Sequence, residues 1–121
     1  MGYRSDVSLT LGKENMAELI RRMKADDGAP EFLKCAKHLD HKNGYESLYW
    51  EWVKWYDDYP EVSMVLDFIS EVEEKGEDIS LKRIGEENDD IEQMWSGDWG
   101  VCEQVEVVRE LRFNPQDEIA I

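Results

Sequence analysis

The sequence YESLYWEWVKWYDDYP, residues 45–60, decides the fold of this chain. Seven of the thirteen aromatic side chains lie in these sixteen positions, so the stretch should supply much of the core. Its alternation predicts a central β-strand from about Glu46 to Tyr56, and Pro60 predicts the first turn of a helix, where proline is favoured. The two faces of the strand are Leu48, Trp50, Trp52 and Tyr56 on one side, and Tyr49, Val53 and Trp55 on the other.

The residues before this stretch show one clear strand and one clear helix. Val7, Leu9 and Leu11 alternate with polar residues, which indicates a strand that ends at Gly12. Residues 13–25 indicate a helix, because their apolar side chains recur with helical spacing. Residues 32–39 are predicted as a strand on topological grounds, although FLKCAKHL also fits the start of a helix. Asn43-Gly44 then predicts a hairpin turn.

The residues after the aromatic strand continue the alternation of helix and strand. The helix beginning at Pro60 is predicted to stop at Lys75-Gly76, and residues 79–84 form a short strand. The order is strand, helix, strand, strand, helix, strand, which predicts an α+β, ferredoxin-like βαββαβ antiparallel sheet with both helices on one face. Its first and third strands are central.

An added C-terminal strand is expected beyond this unit. Val105, Val107, Leu111 and Phe113 alternate, and residues 91–95 are a candidate partner across the turn at 96–100. The length fits a single domain over residues 1–121, with a flexible tail after residue 114.

The negative charge is concentrated in one segment. Residues 1–56 carry nine acidic and nine basic side chains, whereas residues 57–106 carry seventeen acidic and three basic ones, a net of −14 out of −15 for the chain. Such a segment disfavours direct binding to nucleic acid, because no basic patch can release counterions from phosphates. It favours a partner protein with a basic surface.

Several other function classes are disfavoured by the sequence. No apolar run reaches the roughly 18–20 residues of a membrane span, and the first eleven residues lack the pattern of a secretory signal, so a cytoplasmic protein is expected. Cys35 and Cys102 predict two reduced thiols. No nucleophile elbow, phosphate-binding glycine loop or zinc-protease motif occurs. We therefore expect no enzyme activity, no cofactor and no metal.

The sheet face away from the helices has three interpretations. Stacked aromatic residues on such a face bind RNA in some domains, but those platforms normally lie in positive grooves, which this chain lacks. Residues 85–121, or a second copy of the chain, could instead cover the face. The third interpretation is a protein interface in which Tyr49 and Trp55 serve as binding residues.

The acidic sequence EENDDIE, residues 86–92, also has three interpretations. It could be a solvated loop, a surface that mimics an acidic protein or DNA, or a divalent-cation site. The spacing of an EF-hand loop is absent. His38 and His41 would need a further ligand such as Cys35 to form a zinc site, so ordinary polar packing is favoured for them.

Three segments together carry a resemblance. GYRSDV at residues 2–7, VKWYDDYPEV at 53–62 and RIGEENDDIE at 83–92 resemble segments of small acidic proteins encoded by bacteriophages and prophages, most of them without an assigned function. The resemblance implies an accessory protein acting in the host cytoplasm. Some such proteins inhibit CRISPR complexes or other nucleic-acid-binding host proteins by occupying their basic grooves.

The leading hypothesis is an interaction protein whose carboxylates stand in for phosphates on a basic host surface. One alternative is a metal-binding module or small enzyme that uses the carboxylates of residues 86–92. Another is a structural protein that self-associates, for example as a homodimer, through the aromatic face. The predicted partner-binding residues are Glu71, Glu73, Glu74, Glu77, Asp78, Glu86, Glu87, Asp89 and Asp90, together with Tyr49 and Trp55.

Overall fold

The chain folds into five strands and four helices within its described residues. The computed structural model describes residues 2–25 and 29–108. Its elements are β1 Ser5–Gly12, α1 Lys13–Ala25, α2 Ala29–Lys34, β2 Ala36–Asp40, β3 Tyr45–Val53, α3 Pro60–Glu74, β4 Ile79–Gly85, β5 Ile91–Ser96 and α4 Trp99–Glu103. The predicted bounds of α1 and the predicted start of α3 at Pro60 are confirmed.

The five strands form one sheet in the order β2-β3-β1-β4-β5, and every neighbouring pair is antiparallel. The α+β class is therefore confirmed, and the aromatic strand β3 lies inside the sheet between β2 and β1. In the register Leu9 of β1 faces Leu48 on one side and Leu81 on the other. These three residues alternate with polar ones, so one face of the sheet is apolar.

The core lies between this apolar face and the helices α1, α2 and α3. Met16, Leu19 and Met23 of α1 are fully or almost fully buried, as their helical spacing requires. Helix α2 adds Phe32, whose ring stacks on Trp50 with centroids 4.8 Å apart. The remaining buried core residues are Val7, Leu9, Leu11, Ala29, Leu48, Trp55, Val62, Val65, Phe68, Ile69, Val72, Ile79 and Leu81.

Two predicted segments differ from the structure. Residues 32–34 belong to helix α2, and only Ala36–Asp40 form a strand, because Phe32 reaches the core from a helix rather than from the sheet. The fifth strand is Ile91–Ser96, paired with β4, and not the predicted segment at 105–113. Val105 and Val107 are not in a strand, and Leu111, Phe113 and the predicted tail lie outside the described residues.

A bulge in β3 reverses the predicted faces of the aromatic strand near its end. Val7 pairs with Trp50 but Ser5 pairs with Val53, so two residues of β3 face Asp6 alone. Trp52 adopts φ +57°, its N–H donates to Asp6 Oδ1 at 2.8 Å, and its side chain is 54% exposed. Because the alternation changes phase, Trp52 faces solvent.

The same change of phase places Trp55 in the core at 8% exposure, and not beside Tyr49 as predicted. Its ring lies 5.6 Å from that of Trp50 and 5.9 Å from that of Phe32. Strand β3 also ends at Val53, three residues before the predicted end at Tyr56.

The second face of the sheet is polar in its centre and is covered in part by later residues. Thr10 and Ser47 hydrogen-bond across β1 and β3 at 2.6 Å, and Ser8 pairs with Lys82 in the register. The Lys82 ammonium, 7% exposed, donates to the carbonyls of Cys102 (2.7 Å) and Val105. Residues after β5 therefore cover this face, as one interpretation of the sequence expected.

Candidate functional site

The nine predicted acidic residues form two groups rather than one. The helix-end group is Glu71, Glu73, Glu74, Glu77 and Asp78, at the end of α3 and in the turn before β4. The loop group is Glu86, Glu87, Asp89 and Asp90, between β4 and β5. The seven residues of β4 separate the groups, which at about 3.3 Å per residue is roughly 23 Å.

The helix-end group lies at the C-terminal end of α3, where positively charged side chains are favourable. The C-terminal end of a helix carries a partial negative charge, yet α3 has no basic residue in its last turn. Glu71 is paired with Arg22 of α1 at 2.7 Å, and this hydrogen bond lowers the pKa of Glu71. Glu73 and Glu74 are exposed, and neither forms an ion pair within residues 2–25 and 29–108. These two carboxylates oppose the helix dipole.

Asp78 has a structural role within the helix-end group. Its carboxylate accepts hydrogen bonds from the Tyr45 hydroxyl at 3.0 Å and from the Asp98 N–H at 2.7 Å. Burial, and then the bond to Asp78, raises the pKa of Tyr45. Asp78 also lines, with Glu77 and Glu14, a depression of about 390 Å³ at this end of the sheet. It joins β3 to the segment that leads into α4.

Two carboxylates of the loop group form hydrogen bonds to residues near the start of the chain. Asp90 accepts hydrogen bonds from the Tyr3 hydroxyl at 2.5 Å and from the Arg83 guanidinium at 2.8 Å. The bond to Asp90 raises the pKa of both Tyr3 and Arg83. Glu86 accepts the N–H of Arg4 at 2.8 Å. These two carboxylates therefore hold the β4–β5 loop against the first residues of the chain.

The carboxylates of residues 86–92 do not converge on a single point. In the described part of the chain, no group of three or more His, Cys, Asp or Glu side chains is placed to hold a metal ion. The two histidines have different polar partners. His38 pairs with Glu46 at 2.5 Å, and His41 forms a hydrogen bond with the Ser47 hydroxyl at 2.8 Å. The sequence expected such ordinary polar packing.

The basic side chains of the acidic segment are largely withdrawn from its surface. Residues 57–106, all of them described, contain only Lys75, Lys82 and Arg83 as cations. Lys82 is buried beneath two carbonyls, and Arg83 is partly buried beside Asp90. Lys75 alone is exposed, whereas fourteen of the seventeen acidic residues are exposed. Within this segment the exposed charges are therefore almost all negative, and the neighbouring cations come from residues 1–56, with Lys13 beside Glu77 and Asp78, and Arg4 and Lys54 beside Glu86.

The two aromatic residues predicted to bind a partner have different surroundings. Tyr49 is half-buried on the second face and lines a cavity of about 340 Å³ with Leu39 and Ile84. Burial, followed by the nearby charges of Asp6 and Glu51, raises the pKa of Tyr49. Trp55 packs in the monomer core and is not available to a partner.

The sequence reasoning missed the exposed tryptophans Trp95 and Trp99. The sequence predicts a turn between two strands at residues 96–100, but Asp98 caps a helix by accepting the N–H of Gly100 at 2.9 Å. An aspartate just before a short apolar run is a recognised start signal for a helix, and it was present in the sequence. Trp95 and Trp99 are 44% and 54% exposed.

Comparison of the chain with protein-family models, curated protein sequences and solved structures found no match. Over residues 2–25 and 29–108, none of the helices has the length and apolar character needed to cross a membrane.

Proposed function

We propose that this chain is an interaction protein that binds a basic surface of another macromolecule through the exposed carboxylates of residues 57–106. The observation that carries the proposal is the withdrawal of Lys82 and Arg83, which leaves Lys75 as the only exposed cation of residues 57–106, beside fourteen exposed acidic residues. Opposite charges accelerate association and select the partner more than they raise affinity. Binding should therefore be fast and sensitive to salt.

The placement of Glu73 and Glu74 supports this proposal, because the fold gains nothing from it. Negative side chains at the C-terminal end of a helix are unfavourable, and clustered like charges repel one another. Neither carboxylate has an ion-pair partner within the described residues that would offset the repulsion. A binding function that requires carboxylates at these positions would account for them.

The partner that this surface fits best is a protein with a basic groove for nucleic acid. Such a groove presents cations to a closely spaced row of phosphates. The helix-end and loop groups, roughly 23 Å apart along β4, would contact separate parts of one groove. In this proposal the chain is a phage or prophage accessory protein in the host cytoplasm, and it inhibits a defence complex in the manner of an anti-CRISPR protein or DNA mimic.

The test is capture of partner proteins from a bacterial lysate at low and at high salt, followed by binding measurements on the purified partner. Three double variants remove two charges each. Glu73→Gln/Glu74→Gln alters the helix-end group, Glu87→Gln/Asp89→Asn alters the loop group, and Glu31→Gln/Glu51→Gln is the matched control. We expect the first two to weaken binding about fivefold to tenfold and the control to have little effect.

The decisive test is competition between double-stranded DNA and the chain for the purified partner. If carboxylates stand in for phosphates, DNA should displace the chain from its partner, and affinity should fall steeply as salt rises. Affinity that is unchanged by salt contradicts the proposal. An equal loss in all three double variants would also contradict it, because it would show a dependence on net charge and not on these surfaces.

We infer, in addition, that β1 to β4 with α1 and α3 form a ferredoxin-like βαββαβ unit and that β5 extends its edge. The strand order β2-β3-β1-β4, with every pair antiparallel, supports this inference. The position of α1 and α3 on the same apolar face also supports it. An experimental structure in which α1 and α3 lie on opposite faces would contradict it. The fold alone does not indicate the activity.

A further inference from the structure

A depression beside α4 combines an exposed aromatic surface with carboxylates. It encloses about 370 Å³ between β5 and residues 99–107, and its walls include Trp99, Gln93 and Glu103. Trp99 and Glu103 are four residues apart in α4, so they lie on the same side of that helix. Glu106 lines the same depression. We refer to it as the Trp99 groove.

The indole of Trp99 is held in place without being covered. Its ring packs edge-on against that of Trp95, with centroids 5.0 Å apart and an interplanar angle of 80°. About half of each side chain remains exposed. Exposed tryptophans of this kind are typical of binding hot spots, and the face of an indole is the best aromatic surface for a cation. The pair therefore lies at the surface and outside the core.

The charges around the groove select a cation. Glu103 and Glu106 are exposed, and within residues 2–25 and 29–108 neither forms an ion pair. Lys82 also lines the groove, but its ammonium donates to the carbonyls of Cys102 and Val105 and is buried by them. The accessible charges in the groove are therefore negative.

We propose that the Trp99 groove receives an arginine side chain of the basic partner. A guanidinium can stack on the indole and at the same time donate paired hydrogen bonds to a carboxylate, which a lysine ammonium does less well. This inference rests on the proposed function and specifies one contact within it. It predicts that affinity depends on Trp99 and on the charges of Glu103 and Glu106.

The test uses short arginine peptides as the probe and calorimetric titration of the full chain. Two further peptides of the same sequence carry lysine or neutral citrulline at the arginine positions. We expect Trp99→Ala to weaken binding of the arginine peptide about fivefold to thirtyfold, with Trp99→Phe intermediate. The lysine peptide should bind less tightly, and the citrulline peptide should not bind.

Charge variants separate this groove from acidity in general. Glu103→Gln/Glu106→Gln should weaken binding of the arginine peptide, whereas Glu31→Gln/Glu51→Gln, with the same loss of charge, should not. If both double variants weaken peptide binding equally, the arginine proposal for the Trp99 groove is contradicted. The proposed function is not affected by that result. Conversely, the chain could bind the arginine peptide but capture no partner from the lysate. That outcome would contradict the proposed function alone.

Two measurements exclude trivial outcomes. Far-UV circular dichroism and the melting temperature of each variant must match those of the parent, and Trp99→Phe keeps an aromatic ring if Trp99→Ala does not fold. Sedimentation of the chain without peptide tests a second copy as the occupant. A dimer that Trp99→Ala dissociates would show that the groove is an interface between copies, and it would overturn the arginine proposal.

Discussion

Trp50 and Trp52 are two positions apart in one strand, and simple alternation places them on the same face. The structure buries Trp50 completely and leaves Trp52 half exposed at φ +57°. Replacing Trp50 by alanine removes a buried indole, which costs about 3–5 kcal/mol. It also removes the hydrogen bond from Trp50 Nε1 to the Phe32 carbonyl at 2.9 Å, for about 1 kcal/mol more. The sum is about 4–6 kcal/mol.

The matched substitutions at Trp52 should have a very different result. Trp52→Ala should change the free energy of unfolding by less than about 0.5 kcal/mol, because little buried area is lost. Trp52→Gly should be neutral or stabilising by up to about 1 kcal/mol, since a left-handed backbone costs a non-glycine residue about 1–2 kcal/mol. Trp50→Phe is the milder comparison if Trp50→Ala exhausts the stability of the domain, which for this size is about 5–15 kcal/mol.

Urea denaturation followed by far-UV circular dichroism measures these differences. A change in the midpoint at constant slope reports a change in stability, with a slope of about 1–3 kcal/mol per molar urea. Comparable losses for Trp50→Ala and Trp52→Ala would refute the bulge, because both side chains would then have to be buried. The same result would also remove the explanation for the position of Trp55 in the core.

Two other predictions concern a surface carboxylate and a glycine. Hydrogen bonds from Arg21 and Arg22 lower the pKa of Glu18 from 4.5 to about 2. The contribution of the Glu18 carboxylate to stability is therefore present above about pH 4.5 and is lost as the pH falls towards 2. The melting temperature of Glu18→Gln should therefore fall less between pH 5 and 2 than that of the parent, and identical pH profiles would contradict this. Gly97 has φ +84°, and an added Cβ would lie 2.8 Å from the Asp78 Cα, so Gly97→Ala should lower stability by more than about 1 kcal/mol. Gly44→Ala, at φ +95° with no atom within 4 Å of an added Cβ, is the control that carries the backbone strain alone, and an equal loss there would exclude the steric contribution.

The elements that local periodicity predicts well are those whose packing matches their own pattern. The stripe of α1 meets the sheet with the spacing that the sequence shows, and Pro60 begins α3 because its backbone is already suited to the first turn. Residues 32–34 differ from the prediction, because FLKCAKHL at residues 32–39 fits either a strand or the start of a helix. Contact between Phe32 and Trp50 decides that choice, and this contact spans eighteen residues.

The candidate site was predicted only in part. The composition identified residues 57–106 as the acidic segment, and the strand predicted at 79–84 lies between its two groups of carboxylates. The sequence could not show that Asp78 and Asp90 are committed to internal hydrogen bonds. Those bonds depend on which strands pair, because pairing brings Tyr45 to Asp78 and Tyr3 to Asp90.

The class of the fold, the internal position of the aromatic strand and the concentration of charge after residue 56 can all be predicted without knowledge of the folded structure. These properties follow from hydrophobic period and composition, which act locally and need no knowledge of neighbours. Only the tertiary structure decided which tryptophans are buried, because a single bulge opposite Asp6 changes the phase of every later side chain in β3. The folded structure also withdraws the cations Lys82 and Arg83, since Lys82 donates to carbonyls at least twenty residues later in the chain and Arg83 donates to Ser5 of β1. The acidic surface is therefore a property of the folded chain.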